Sequence, residues 1–307
     1  MPTFSVSIKQ EICNNDYDTE SIKWILSSFL TNRMKISLSQ SKIEYYVESN
    51  FSFVIRFITE CLDKIVKTDH HLSYSEINNF NKKRLYRLTI NQVKFEQLLN
   101  ELKVLDDKDI KFTKTEKEKS AYVIGAFLSG GSISDISKPF YHLEIRSTNG
   151  KYLRLIQQIL ISWRLSPILL KRKYSTVLYI KRSTEVSDFL KHINAIENMS
   201  LLEDTIISRD FNNQLHRLNN LDISNISKSA KASDIQTTMI KAIINAQLYK
   251  DQNDKFKKYC QLRLNYPTAS ISELANLYQQ TYKIKITRSG INHFVIKLKN
   301  IYKVVNK

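Results

Sequence analysis

The chain has 307 residues, of which 42% are hydrophobic and 25% charged, a composition typical of globular proteins with a large core. No apolar stretch approaches the roughly 20 residues of a membrane-spanning helix, and the start lacks the basic-then-apolar order of a secretion signal. The formal net charge of +17 favours a polyanionic partner, although A/T-rich coding also enriches a protein in lysine.

Apolar periodicity in the first hundred residues predicts the order helix, two strands, helix, two strands, helix. The helices are expected over Glu20–Thr31, Phe51–Val66 and Gln92–Leu102. The alternating segments Ile43–Glu48 and Leu85–Ile90 are each predicted as the second strand of a pair. The middle helix is expected to bury one apolar stripe, formed by Val54, Phe57, Ile58, Cys61, Leu62 and Ile65.

The same order of elements is predicted a second time, about 98 residues later. Its segments are a helix over Glu116–Ser129, a strand over Tyr141–Arg146, a helix over Gly150–Trp163, a hairpin of Pro167–Leu170 with Val177–Ile180, and a helix over Glu185–Ile193. Local similarities keep the same offset, as between Ser28-Phe29-Leu30 and Ala126-Phe127-Leu128. We therefore expect two pseudo-symmetric repeats.

The glycines mark the first helix of the second repeat. The chain has five, where average usage predicts roughly twenty, and Gly125, Gly130 and Gly131 lie within seven positions. A glycine inside a helix costs about 1 kcal/mol relative to alanine, so we expect Gly125 to allow close packing against Ser27-Ser28 of the first repeat. The two later glycines are expected to turn the chain sharply at the helix end.

A polar segment follows between Ile206 and about Lys231. Its leucines at 215, 218 and 221 recur at helical spacing, and its amides and basic groups, including Arg217 and Lys228, could donate hydrogen bonds to phosphates and bases. A solvent-facing connector fits the same pattern equally well. The positive charge is concentrated from here onward, because residues 231–307 hold 12 Lys and 2 Arg against 3 Asp and 1 Glu, a net +10.

The C-terminal residues predict a three-helix module. Its first helix covers about Lys255–Asn265 and stops before Pro267, since the residue preceding proline avoids the α conformation. Ser270 and Glu273 have the spacing of a capping box at the start of the second helix, which is expected to bury Leu274, Leu277 and Tyr278. The third helix begins near Ser289 and turns Ile291, Val295 and Leu298 inward.

The outer side of this third helix has the residue types of a DNA-reading surface. Short polar side chains near the start of such a helix contact base edges, and later lysines contact phosphates. We therefore expect base contacts from Arg288, Ser289, Asn292 and His293, and phosphate contacts from Lys297, Lys299 and Lys303. A polar helix face of this kind also occurs in protein-docking modules.

Gly125-Ala-Phe-Leu-Ser-Gly-Gly-Ser-Ile133 resembles the signature helix of LAGLIDADG homing endonucleases. The whole chain resembles the WhiA family of bacterial regulators, which joins such a body to a C-terminal helix-turn-helix. The matching segments are Phe4–Ile12, Tyr141–Ile145, Tyr179–Ser183, Ser187–Leu190, Arg217–Asn220, Asn225–Lys228 and Ser289–His293. The chain departs from the family pattern at Phe294, where an arginine is expected, and in Phe29–Met34, which has lost its small residues.

The resemblance implies an α+β fold of two αββαββα LAGLIDADG-like repeats followed by an all-α helix-turn-helix domain. The expected division is 1–110, 111–200, a helical linker over 201–250, and a DNA-binding domain over 251–307. The implied function is sequence-specific binding of double-stranded DNA in transcription, cell division and chromosome segregation, with a role in sporulation among sporulating relatives. It also implies a cytoplasmic, nucleoid-associated location and other transcription or cell-division proteins as partners.

Nuclease activity is not expected. In nucleases of this fold each signature helix ends in an acidic residue that holds metal, whereas this chain has Asn32 and Gly130 there, with Asp135 as the nearest substitute carboxylate. The three cysteines and six histidines have no metal-ligand spacing, and no cofactor motif is present. We therefore expect no catalytic residue, metal or cofactor. The alternatives are a metal-dependent endonuclease or RNA maturase, and a protein-docking scaffold.

Overall fold

The computed structural model describes residues 3–39, 42–66, 70–77, 83–90, 92–102, 104, 115–138 and 140–305. The chain divides into two compact units, Met1–Ser208 and Arg209–Lys307. The boundary expected at residue 110 lies outside the described residues. No helix in the described part of the chain combines the length and apolarity needed to cross a membrane.

The first repeat has the expected order of elements, preceded by one helix that the sequence analysis did not predict. The elements are α1 Phe4–Asn14, α2 Thr19–Arg33, β1 Lys35–Ser39, β2 Lys42–Ser49, α3 Ser52–Ile65, β3 His70–Ile77, β4 Lys83–Ile90 and α4 Gln92–Glu101. Helix α1 buries Phe4, Ile8 and Ile12, which recur at the four-residue spacing of one helix face.

The second repeat has the same architecture. Its elements are α5 Glu116–Gly130, β5 Gly131–Ile133, β6 Leu143–Ser147, α6 Gly150–Ser162, β7 Ile168–Lys171, β8 Thr176–Ile180 and α7 Ser183–His192. The strands pair antiparallel in the orders β1-β2-β4-β3 and β5-β6-β8-β7, so the two sheets have one topology. This agreement confirms the predicted internal repeat.

Strands β2 and β6, which occupy the same place in the two sheets, alternate between buried and less buried residues because one face of each sheet packs on helices. Tyr45 and Val47 of β2 are buried, and so are Leu143 and Ile145 of β6. The corresponding positions differ by 98 residues, as the sequence analysis predicted. The middle helices complete each core, although Ile65 of α3 is only partly buried.

Helices α2 and α5 lie against each other with little space between their backbones. A Cβ atom built on Gly125 would be 2.9 Å from the Ser28 Cβ and would overlap the Ile25 carbonyl oxygen. A Cβ on Gly130 would overlap the Arg146 carbonyl oxygen, and one on Gly131 the Phe127 ring. None of the three glycines has a positive φ. The chain passes directly from α5 to β5 between Gly130 and Gly131, so it turns at the helix end as expected, but these positions require space rather than a left-handed backbone.

The second unit is all-helical. It contains the end of the 50-residue helix α8 Ile196–Asn245, followed by α9 Asp254–Asn265, α10 Ile271–Tyr282 and α11 Arg288–Val305. Ile240 and Ile243 of α8 share one buried cluster with residues of the three later helices. The C-terminal part of α8 is therefore a fourth helix of this unit rather than a free linker.

Candidate nucleic-acid interface

The predicted capping box sets the start of α10. The Ser270 hydroxyl accepts a hydrogen bond from the Glu273 amide at 3.2 Å, and the Glu273 carboxylate accepts one from the Ser270 amide at 2.6 Å. Hydrogen bonding to the carboxyl from the Ser270 amide, and then from the Ser270 side chain, holds the pKa of Glu273 below its usual value. The helix ends at Lys283, which has a left-handed φ of 58° and whose amide donates to the Gln279 carbonyl. The four residues 284–287 then lead to α11.

The inner face of α11 is the predicted one. Ile291, Val295 and Leu298 are all buried. Phe294, which stands where the family pattern has an arginine, also belongs to the inner side, because its ring lies 5.6 to 6.3 Å from the rings of Phe256, Tyr259 and Tyr278. The aromatic residue at this position therefore contributes to the core.

Most of the predicted contact residues lie together on the exposed side of α11. Arg288, Ser289, Asn292, His293 and Lys299 are all exposed. The helical repeat of 3.6 residues places Arg288, Asn292 and Lys299 within about 40° of one line along the helix. Arg288, Asn292 and Lys299 therefore point in one direction, and Ser289 and His293 lie about 100° and 140° around the helix from Arg288.

Lys297 differs from the other predicted contacts. Its side chain is partly buried, and its ammonium group lies 5.0 Å from the centroid of the Phe256 ring. This geometry is that of a cation–π interaction, worth about 0.5–1 kcal/mol at an exposed site. Lys297 thus contributes to packing beside its predicted phosphate contact, whereas Lys299 and Lys303 extend into solvent.

The sequence analysis overlooked Ile296. This residue is 47% exposed and lies one helical turn after Asn292, in the middle of the polar face. An apolar side chain in such a place suits the methyl group of thymine. Its spacing of four residues from Asn292 was visible in the sequence, but isoleucine alone gives no signal of DNA contact.

The charge around α11 has one sign. Residues 274–305 hold six basic side chains and no acidic one: Lys283, Lys285, Arg288, Lys297, Lys299 and Lys303. The basic residue Arg263 of α9 does not contribute to the surface, because it is only 2% exposed and donates to the Ala269 carbonyl at 2.6 Å. It also contacts Ser233 of α8 and so connects α8 to the turn between α9 and α10. The buried charge of Arg263 therefore holds parts of this module together, whereas the exposed basic side chains lie on the outer face of α11.

Arg217 and Lys228 are both exposed on α8. Their separation of 11 residues is close to three helical turns, so both side chains leave the helix on one side, about 16 Å apart. The leucines at 215, 218 and 221 are 42%, 58% and 60% exposed, so this part of α8 has no buried face.

The ends of α2 and α5 are the places where nucleases of this fold hold metal. Asn32 and Gly130 do face each other there, since a Cβ on Gly130 would be 2.8 Å from Asn32 Nδ2. That amide nitrogen donates to the Ser129 hydroxyl at 2.9 Å. Asp135 is engaged in a turn, where it accepts from the Ser137 amide at 2.9 Å. In the described residues, no group of three or more His, Cys, Asp or Glu side chains is arranged to hold a metal ion.

Two family models match the chain. One is described as the WhiA LAGLIDADG-like domain and matches residues 119–212, and the other as the WhiA C-terminal HTH domain and matches residues 215–302. Together they cover the second repeat, most of α8 and the three-helix module.

Full-length relatives support the same assignment. The probable cell division protein WhiA of Clostridium tetani is 26% identical over 318 residues, which cover 99% of this chain and 98% of the relative. That of Mycoplasma pneumoniae is 27% identical over 303 residues, which cover 97% and 99%. The crystal structure of full-length DUF199/WhiA from Thermatoga maritima matches 99% of this chain and 98% of its own, with a TM-score of 0.61 and 20% identity, and so shows a shared fold.

Proposed function

Because the chain belongs to the WhiA family, we propose that it is a sequence-specific DNA-binding regulator of transcription that acts in cell division and chromosome segregation. The outer face of α11 carries this proposal. It combines exposed Arg288, Ser289, Asn292 and His293 with a stretch of chain that has no acidic residue.

In the proposed complex, α11 enters the major groove of double-stranded DNA, as the second helix of a helix-turn-helix does. The amide of Asn292 suits the N6 and N7 edge of adenine, and the guanidinium of Arg288 suits the O6 and N7 edge of guanine. Ile296 lies between them and Lys299, where it can contact a thymine methyl group. Lys299 and Lys303 bind phosphates, which positions the helix without reading sequence.

We also propose that the exposed side of α8 contributes phosphate contacts through Arg217 and Lys228. Two cations on one side of a helix can each neutralise a phosphate of a nearby strand. The proposed division of the chain has repeats over 1–110 and 111–200, a helical connector over 201–250 whose last turns pack against the three later helices, and a DNA-binding domain over 251–307. A DNA-bound regulator of this kind would act in the cytoplasm at the nucleoid, together with other transcription or cell-division proteins.

The proposal excludes nuclease activity on chemical grounds. A divalent metal ion over a scissile phosphate needs anionic oxygen ligands. The residues at the ends of α2 and α5 do not fit such an ion, because Asn32 turns an amide nitrogen inward and Gly130 has no side chain. The neighbouring Arg33 is positively charged and donates to the Ser129 carbonyl.

The proposal is tested by selecting duplexes from a random library with the full-length protein and sequencing the bound fraction. We expect one recurrent motif, which chromatin immunoprecipitation in the source organism should place upstream of regulated genes. Enrichment without a motif would contradict sequence-specific regulation. Supercoiled plasmid incubated with Mg²⁺ or Mn²⁺ tests the endonuclease alternative, and nicking above a buffer control would favour it. A protein that binds no duplex at moderate salt would favour a docking scaffold.

A further inference from the structure

A cavity of about 280 Å³ lies in the first unit, beside the ends of α2 and α5. Its volume is close to the lower end of the range of small-molecule pockets, about 300–1,000 Å³. Its wall contains polar and charged side chains from five elements, α1, α2, β1, β2 and α5. The lining residues are Lys9, Arg33, Lys35, Glu48, Ser49, Asn50, Phe51, Leu85, Leu128 and Ser129.

Lys9 is the least expected member of this wall. Its side chain leaves α1, is only 5% exposed, and donates to the Leu128 carbonyl at 3.2 Å. The ammonium group also lies 5.3 and 5.5 Å from the ring centroids of Phe51 and Phe127. The ammonium group has three protons to donate, and the described residues provide one hydrogen-bond acceptor, the Leu128 carbonyl oxygen. No carboxylate of the described residues lies within ion-pair distance of this ammonium group. A buried charge without a partner of opposite sign is energetically costly.

Arg33 adds a second cation, for which the described part of the chain shows no ion pair. Its Nε donates to the Ser129 carbonyl, and burial is the main cause that lowers the pKa of its guanidinium. The only carboxylate in the wall, that of Glu48, is already bound by Lys35 at 2.8 Å and by Arg87 at 2.7 Å. The cavity therefore contains two cations, Lys9 and Arg33, for which the described residues show no ion pair, and a third, Lys35, that is paired with Glu48.

Phe51, the residue immediately before the first turn of α3, lines the same space. Phe51 is the N-cap of this 14-residue helix and offers no side-chain acceptor to its first amides. Those amides and the positive end of the helix dipole favour a bound anion. Ser49 and Asn50 lie immediately before the helix and add polar groups to the wall.

We propose that this cavity binds a phosphate group, held by Lys9, Arg33 and Lys35. A phosphate brings several acceptor oxygens and up to two negative charges, which match the unpaired donors of the wall. A free phosphate compound and a backbone phosphate of nucleic acid offer the same chemistry. The site lies in the first unit and does not depend on α11, so this inference stands apart from the DNA-reading role proposed above.

Thermal unfolding of the full-length protein tests the site. Inorganic phosphate should raise the unfolding midpoint saturably, compared with chloride at equal ionic strength, because a ligand that binds only the folded state stabilises it. Lys9→Met and Arg33→Met should lower the affinity for phosphate about 10- to 100-fold, the equivalent of one charge-assisted hydrogen bond. Lys191→Met removes an exposed lysine of α7 and should respond like the unaltered protein.

The folded state should tolerate Lys9→Met, since methionine fills a similar space without a buried charge. An equal rise in all four proteins would show a general effect of excluded salt and would overturn the site. Phosphate affinity should also fall as the pH rises through about 8, the value to which burial and the nearby Arg33 lower the pKa of Lys9. The other titratable groups around it are Cys13 on the same helix, Lys35 of β1 and Glu48 of β2.

A second measurement distinguishes the two sources of phosphate. If a nucleic-acid backbone occupies the cavity, Lys9→Met should reduce by about one the salt slope for binding of a random duplex. If a free compound occupies it, that slope should stay unchanged while adenosine monophosphate, titrated by calorimetry, binds the unaltered protein and not the variant. Absence of both effects, with no saturable response to inorganic phosphate, would refute the proposal.

Discussion

Gly125 of α5 and Ser28 of α2 touch at the centre of the first unit, where a Cβ on Gly125 would be 2.9 Å from the Ser28 Cβ. Ser28 is fully buried, and its hydroxyl shares a 2.9 Å hydrogen bond with the Tyr152 hydroxyl of α6. The two pseudo-symmetric repeats are thus joined through a contact that has no room for one methyl group.

Gly125→Ala should therefore destabilise the protein, although alanine normally favours a helix by about 1 kcal/mol over glycine. The added methyl would overlap the Ile25 carbonyl oxygen, and overpacking of this kind costs about 1–3 kcal/mol. Urea unfolding followed by circular dichroism measures the change. Gly150→Ala is a suitable control, because the closest atom to its added methyl is 3.6 Å away. Equal stability of the two variants would contradict the close contact.

Asn292→Ala should weaken binding to a selected duplex by about 1–3 kcal/mol and leave binding to random DNA nearly unchanged. The loss follows from the exposed position of Asn292 in the second turn of α11, where its amide can pair with a base edge. Fluorescence anisotropy with both duplexes at one salt concentration gives the comparison. Gln280→Ala removes an exposed amide of α10 and should change neither affinity. Equal losses on the two duplexes would refute base reading by Asn292.

Lys299→Ala should lower affinity for all duplexes and reduce the salt slope of binding by about one, because one phosphate contact is lost. Its effect on unfolding should be small, since the side chain is exposed. Lys297→Ala should in addition destabilise the second unit by about 0.5–1 kcal/mol through loss of the contact with Phe256. Salt titrations and thermal unfolding of both variants separate the two roles. An unchanged slope for Lys299→Ala would remove it from the phosphate contacts.

The buried ammonium of Lys9 predicts a specific dependence of stability on pH. Its pKa is lowered from 10.5 to about 8, mainly by burial and then by Arg33. Between these values the unfolded chain binds the proton and the folded protein releases it, so the free energy of unfolding should rise with pH. From about pH 7 to about pH 10, the free energy of unfolding of the unaltered protein should rise by about 2–4 kcal/mol relative to that of Lys9→Met. Urea unfolding at both pH values, without phosphate, measures it, and a parallel response of the two proteins would contradict the lowered pKa.

The sequence analysis predicted most of the architecture because the apolar pattern of each helix or strand is local in sequence, and the same patterns recur in the second repeat. Tyr45 and Val47 correspond to Leu143 and Ile145 at the same offset, and both pairs are buried on central strands. It missed α1 and the three-residue strand β5. Helix α1 mixes serine and charged residues between Phe4, Ile8 and Ile12, and β5 is too short to show alternation, so neither has a strong periodic pattern.

The exposed face of α11 was predictable from the sequence, because the apolar residues Ile291, Val295 and Leu298 define the buried side of the helix, whatever it packs against. The partial burial of Lys297 was not, because it depends on Phe256 of another helix. The proposed phosphate-binding cavity could not be predicted from the sequence either. Lys9, Arg33 and Leu128 are far apart in sequence, and no neighbouring residue indicates that Lys9 is buried.

The sequence by itself determined the repeated order of elements, the capping box at Ser270 and the polar side of α11, because these depend on spacing within a single helix or strand. The sequence also indicated close packing at Gly125, but only the tertiary structure decided that the Ile25 carbonyl oxygen fills that space, that Phe294 is a core residue and that Lys9 is a buried cation. Each of these depends on atoms contributed by other helices, and burial and local dielectric exist only after the chain has packed.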